Sequence, residues 1–127
     1  MSIAERSVAE LTEVTQEFVG TDAHVEVALM VYGRQPLVSA GFLGWLFGKP
    51  RIFAATDKDL RLYEAETGPR GSTVLPGKPL GTYPRDTKIG PPKGVHYKVK
   101  LPDGQKMYVH RLHFDHVRRI DGEVVEG

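Results

Sequence analysis

Four histidines, His96, His110, His113 and His116, are the residues whose type and spacing come closest to metal chemistry. On a helix His113 and His116 share one face with Asp115 between them, but the His-Glu-x-x-His arrangement of helical zinc sites is missing. The chain has no cysteine, which excludes disulfides, thiol catalysis and thiolate zinc sites. The expectation is a solvated histidine set near a sheet edge, with no metal and no cofactor. Carboxylates are spread over turns and the N-terminal segment, and no pair is placed for general acid and base work. Gly-Pro-Arg-Gly-Ser-Thr at Gly68 to Thr73 lacks the glycine spacing and Lys-Ser/Thr ending of a phosphate-cradling loop, and no nucleophile elbow occurs. The chain therefore reads as a non-enzyme.

Two other groups of residues suit recognition. Phe42, Leu43, Trp45, Leu46 and Phe47 crowd a glycine-broken apolar run at 35–50, flanked by Arg34, Lys49 and Arg51. Aromatic anchors on an adaptable backbone, with cations beside them, fit a protein partner first and an anionic membrane surface second. The competing reading is that Trp45 and its neighbours fold back to close one end of a core. Further on, Lys98 and Lys100 lie on one face of an alternating segment. Tyr83, Lys88, Lys93, His96, Lys106, Tyr108 and His110 are near in sequence or pairing. A basic sheet carrying aromatic groups is what single-strand nucleic-acid binders use. The sequence pI of about 8.0 falls short of the value above roughly 9 that marks many such domains, so nucleic acid ranks behind a protein partner.

The net charge of +1 hides a segregation. Residues 1–33 hold one basic and six acidic residues, whereas 34–106 hold thirteen basic and six acidic. The acidic segment is expected to pack on its own basic body, the alternative being an open surface for an anionic partner. A length of 127 residues fits one domain over 1–127. The crowded aromatic run is too short for a transmembrane helix, which needs about 20 apolar residues. The N-terminus has no basic-then-apolar secretory pattern, which makes the cytoplasm the expected location. A peripheral place at the inner membrane face is the secondary expectation.

The elements that must position these groups follow from periodicity and turn chemistry. Ile3, Val8, Leu11, Val14, Thr15 and Phe18 recur at helical spacing over 2–19, with Ser2 and Glu5 at capping-box distance and Gly20 placed to stop the helix. Val25 to Tyr32 alternates as a strand that becomes apolar on both faces. That pattern, with exposed sheet edges, also predicts self-association. Arg51 to Glu66 reads as a hairpin turning at Thr56-Asp57-Lys58-Asp59, and Thr67 to Lys78 as a loop. Short strands follow at Leu80 to Tyr83 and Thr87 to Ile89, interrupted by Pro84.

Val95 to Leu101 alternates with Val95, Tyr97, Val99 and Leu101 inward, and Pro102-Asp103-Gly104 supplies a three-residue hairpin loop. The predicted register pairs Leu101 with Gln105, Val99 with Met107, Tyr97 with Val109 and His96 with His110. A short helix over Leu112 to Ile120 offers Leu112, Val117 and Ile120 to a core, and Val124 and Val125 can add a strand edge.

The run Phe53-Ala54-Ala55-Thr56-Asp57-Lys58-Asp59-Leu60-Arg61-Leu62-Tyr63 resembles the central hairpin of bacterial pleckstrin-homology-like domains, and the Val95 to Leu112 region adds to the likeness over about residues 25–120. The resemblance implies an α+β fold, an antiparallel curved sheet or partly open barrel with a closing C-terminal helix. It also implies a binding or assembly module, not an enzyme. The N-terminal amphipathic helix is an addition to that pattern, and the C-terminal helix is short. Phosphoinositide binding is not implied, because the first strand-connecting loop holds Arg34, Lys49 and Arg51 around an apolar insert.

Overall fold

The computed structural model describes residues 3–34, 49–68 and 74–122. The order is α1 (Ile3–Val19), β1 (Val25–Tyr32), β2 (Pro50–Thr56), β3 (Asp59–Thr67), β4 (Val74–Pro84), β5 (His96–Lys100) and β6 (Lys106–His110). A 3-10 turn (Arg111–His113) and α2 (Phe114–Ile120) complete it. The class is α+β, with the antiparallel strands hydrogen-bonded in the order β4-β3-β2-β1-β6-β5. The chain forms two compact units, residues 1–30 with 51–86 and residues 31–50 with 87–127.

In unit 1, α1 buries Val8, Leu11 and Thr15, the i, i+3, i+7 stripe of an amphipathic helix. Gly20, at φ 69°, ends the helix by donating its N–H to Gln16 O at 2.9 Å, a left-handed conformation that glycine adopts without strain. Phe18, expected on the apolar face, is instead 52% exposed in the last turn of the helix; its ring meets Tyr63 in a T-shaped arrangement with centroids 5.5 Å apart.

Side chains of α1 also complete the backbone bonding of β1. Gln16 Oε1 accepts from Val25 N–H at 2.7 Å while its amide donates to Gly20 O and Ala23 O. Thr12 Oγ1 accepts from Ala28 N–H at 3.0 Å. Two strand donors thus find partners on the helix, which covers apolar surface that the sequence suggested for self-association. Leu11, Val25, Ala28, Ile52, Ala54 and Tyr63 form one buried cluster, with Met30 packed against it.

The β2–β3 hairpin turns where expected and extends one residue beyond Arg51 to Glu66 at each end, with Phe53 opposite Leu62 and Ala55 opposite Leu60. The buried Thr56 hydroxyl organises the turn: it accepts from Lys58 and Asp59 N–H and donates to Asp59 Oδ1 at 2.8 Å. The expected loop at Thr67 to Lys78 needs correction, since β4 begins at Val74 and runs to Pro84. Pro76, Pro79 and Pro84 sit opposite Ala65, Tyr63 and Asp59, with register shifts on both sides of Tyr63. An outer strand tolerates prolines because their missing N–H groups can face away from the ladder. The strand expected at Thr87 to Ile89 does not form.

In unit 2 the observed β5–β6 register is the predicted one. Val31, Ile89, Val99, Leu101, Met107, Val109, Val117 and Ile120 are buried. Two expectations fail at the ends of this region. Val95 is 51% exposed and precedes β5, although its carbonyl still accepts from Arg111 N–H at 2.8 Å. Leu112 is 62% exposed, because the chain leaves β6 through a 3-10 turn before α2 and so shifts the helical face. Asp121, after α2, accepts Ile89 N–H at 2.8 Å and Gly90 N–H at 2.7 Å, while Lys88 donates to its carbonyl. The strand edge expected at Val124 and Val125 lies outside the described residues.

Candidate functional site

The turn after β5 fixes which side chains of unit 2 share a face. Gly104 sits at φ 90°, a left-handed position, and donates to Leu101 O at 2.9 Å; Asp103 Oδ1 receives Gln105 N–H at 3.1 Å. The resulting register sets His96 opposite His110, Lys98 opposite Tyr108 and Lys100 opposite Lys106. Because Val99, Met107 and Val109 are buried, these six residues lie on the other face. Tyr32 is the partner of Tyr108 on β1, so Tyr32, Tyr108 and Lys98 make a row across three strands. The three lysines are exposed, while both tyrosines and both histidines are half-buried. Among the described residues, none of the three lysines has an acidic partner.

The histidines border this row. The His96 and His110 rings meet edge-on at 5.0 Å. His110 Nδ1 accepts Leu112 N–H at 3.1 Å and so caps the 3-10 turn; burial, then the charges of His96 and Arg111, hold its pKa below the ordinary value. His113 departs from the expected solvated set. Among the described residues its Nδ1 is enclosed without a hydrogen-bond partner, and burial, followed by His116 and His110, pushes its pKa down to about 4. Among the described residues, no three His, Asp or Glu side chains converge as metal ligands.

Unit 1 arranges charge differently. Arg61 donates to Asp59 at 2.8 Å and to Asp22 at 2.7 Å; these hydrogen bonds raise the guanidinium pKa, and Arg61 lowers that of Asp22. Arg85 pairs with Glu26 at 3.2 Å and donates to Thr56 O at 3.0 Å. Lys58 donates to Asp22 O, and Asp57 accepts from His24 N–H. The open cleft beside Gln16, Asp22, Asp57 and Lys58 is thus lined by groups already bonded to one another.

The other expected site residues separate. Phe42, Leu43, Trp45, Leu46 and Phe47 lie outside the described residues. Arg34 and Lys49 are exposed at the two feet of that segment, which Gly33 N–H closes by donating to Lys49 O at 2.9 Å. Arg51 belongs to unit 1, half-buried opposite Glu64. Tyr83 is 3% exposed and belongs to the unit 1 core, so it offers no stacking surface. Lys88 reaches the Asp121 carbonyl, and Lys93 is exposed in the connection before β5. Tyr32 was not among the expected site residues; its one sequence signal is its position on the second face of Val25–Tyr32.

The fold defines an α+β class and the site a basic, aromatic-bearing sheet face. No protein-family model, curated protein or solved structure matches the chain. Among the described residues, no helix is long and apolar enough to cross a membrane.

Proposed function

We propose that the chain is a non-catalytic binding module, of pleckstrin-homology-like type in its element order, that holds an anionic ligand on the β5–β6 face of unit 2. One observation carries this reading: Lys98, Lys100 and Lys106 are exposed together without acidic partners among the described residues. Structural cations are ordinarily paired, as Arg61 and Arg85 are here. Unpaired cations grouped on a strand face instead raise the local positive potential and attract anions. Binding to heparin, a sulfated polyanion, should be measurable at low salt and fall steeply as salt rises. The double variant Lys98→Glu, Lys100→Glu should abolish it without moving the melting temperature. Absence of heparin binding by the unmodified protein at low salt would sink the reading.

A second reading keeps the Phe42–Phe47 segment as the contact for a protein partner, at a peripheral membrane position or in the cytoplasm. It is favoured by the exposed Arg34 and Lys49 at the closed feet of that segment. In that case Trp45→Ser with Phe47→Ser removes partner capture and leaves stability intact. A collapse of stability instead assigns those rings to the core, at about 3–5 kcal/mol per ring.

A further inference from the structure

The aromatic row narrows the class of anion. Building on the anionic-ligand reading, we propose that the β5–β6 face takes single-stranded nucleic acid, with a base stacked on Tyr108 and the sugar–phosphate chain held by Lys98, Lys100 and Lys106. Tyr108 is the middle member of the row, half-buried between Tyr32 on β1 and the exposed Lys98 on β5. A simple anion surface has no use for a ring there, whereas a base offers a π-face to any aromatic side chain, whatever its sequence. Tyr32 is more suited to support than to contact: it is partly buried, enough to raise its phenol pKa, and it stands directly opposite Tyr108 on the neighbouring strand.

The cations flank the ring as a strand lying across it requires. Lys98 is directly opposite Tyr108, and the Lys100–Lys106 pair lies one inward-facing residue away along both strands, about 7 Å by strand geometry. Unit 2 as a whole carries ten basic and five acidic residues, a net +5, against seven basic and eleven acidic in unit 1, a net −4. The pI of the whole chain therefore understates the basicity of this face. A folded acidic peptide would satisfy the lysines but leave Tyr108 without a specific role. An anionic membrane would favour apolar insertion beside the cations, and Lys98, Lys100 and Lys106 are accompanied on this face by tyrosine and histidine instead.

The test compares four probes on the full chain: a mixed-sequence single-stranded oligonucleotide, an abasic oligomer of equal length, the corresponding duplex, and vesicles containing phosphatidylserine. The single strand should bind most tightly, with log affinity falling against log salt at a slope near −2 if three phosphates are neutralised. Tyr108→Ala should weaken oligonucleotide binding about tenfold or more and leave the abasic oligomer unchanged, while Tyr108→Phe retains affinity. If Tyr108→Ala lowers the melting temperature, Tyr108→Leu replaces it, keeping the apolar cross-strand contact without the ring. Equal affinity for abasic and base-bearing oligomers, preference for duplex or vesicles, or no selective effect of removing the ring overturns the nucleic-acid assignment and leaves the anion surface standing. Loss of heparin and oligonucleotide binding together at low salt overturns both.

Discussion

The β2–β3 hairpin of unit 1 and the β5–β6 hairpin of unit 2 treat charge differently. In unit 1, Arg61 and Arg85 are spent on Asp22, Asp59 and Glu26, and the groups that hold the hairpin turn are bonded to one another. In unit 2 the backbone is anchored by a carboxylate, Asp121, and the hairpin lysines are left without acidic partners among the described residues. The lesson is that net charge alone does not tell structural cations from available ones, whereas charge left over after pairing singles out the face on which the anionic-ligand proposal rests.

That contrast can be broken at its strongest point first. Asp121→Ala removes the acceptor of two backbone N–H groups, one of them on the buried Ile89, and should cost about 3 kcal/mol in urea unfolding. A loss below about 0.5 kcal/mol would show that unit 2 does not depend on this anchor.

The next effect is a pH dependence set by His113. Its folded pKa, about 4, lies below the ordinary 6.5, so the unfolded chain takes up the proton first as pH falls. The contribution to stability is fully present above pH 6.5 and is lost as pH falls from about 6.5 to about 4, on the order of 2 kcal/mol after allowance for partial exposure. The depression at His110 acts in the same direction. Chemical denaturation at a series of pH values should show this slope, and His113→Leu should remove most of it.

Smaller effects sharpen the comparison between cations. Arg61→Gln should cost about 1 kcal/mol, because its side chain is only 15% exposed and bridges two carboxylates, while Lys98→Gln should stay within about 0.5 kcal/mol of the parent. Equal losses would erase the distinction between structural and available charge. The smallest expected change is a gain: Thr15 is fully buried and its hydroxyl has no hydrogen-bond partner among the described residues, so Thr15→Val should raise the unfolding midpoint by an amount worth about 1 kcal/mol or less. Thr12→Val one turn earlier should lower it, since that hydroxyl accepts Ala28 N–H.

What the sequence made legible was local. The β5–β6 register could be read because alternation and the Pro102-Asp103-Gly104 turn gave the same answer independently, and β1 and the end of α1 were punctuated by glycine. The first part of β4 could not be read, because Pro76, Gly77 and Pro79 describe a loop until β3 is known to supply the partner strand. Val95 and Leu112 fall outside the core because the periodicity of their segments does not extend past the points where the chain changes course. The lysines of the candidate face were visible as alternation. The tyrosine row was not, since it depends on β1 meeting β6 at Tyr32 and Tyr108, a pairing between segments far apart in the chain.

The bond from Gly33 to Lys49 has a consequence for how this protein can change. It holds the two ends of an insertion point side by side while β1 and β2 continue their own pairing, and Lys49 accepts a left-handed φ of 53° to make the closure. The points where the chain leaves β1 and re-enters β2 are thereby fixed within the framework. Doubling the length of a flexible loop adds only about 0.6 kcal/mol of closure cost, so ends already held together set no tight limit on the length of chain between them.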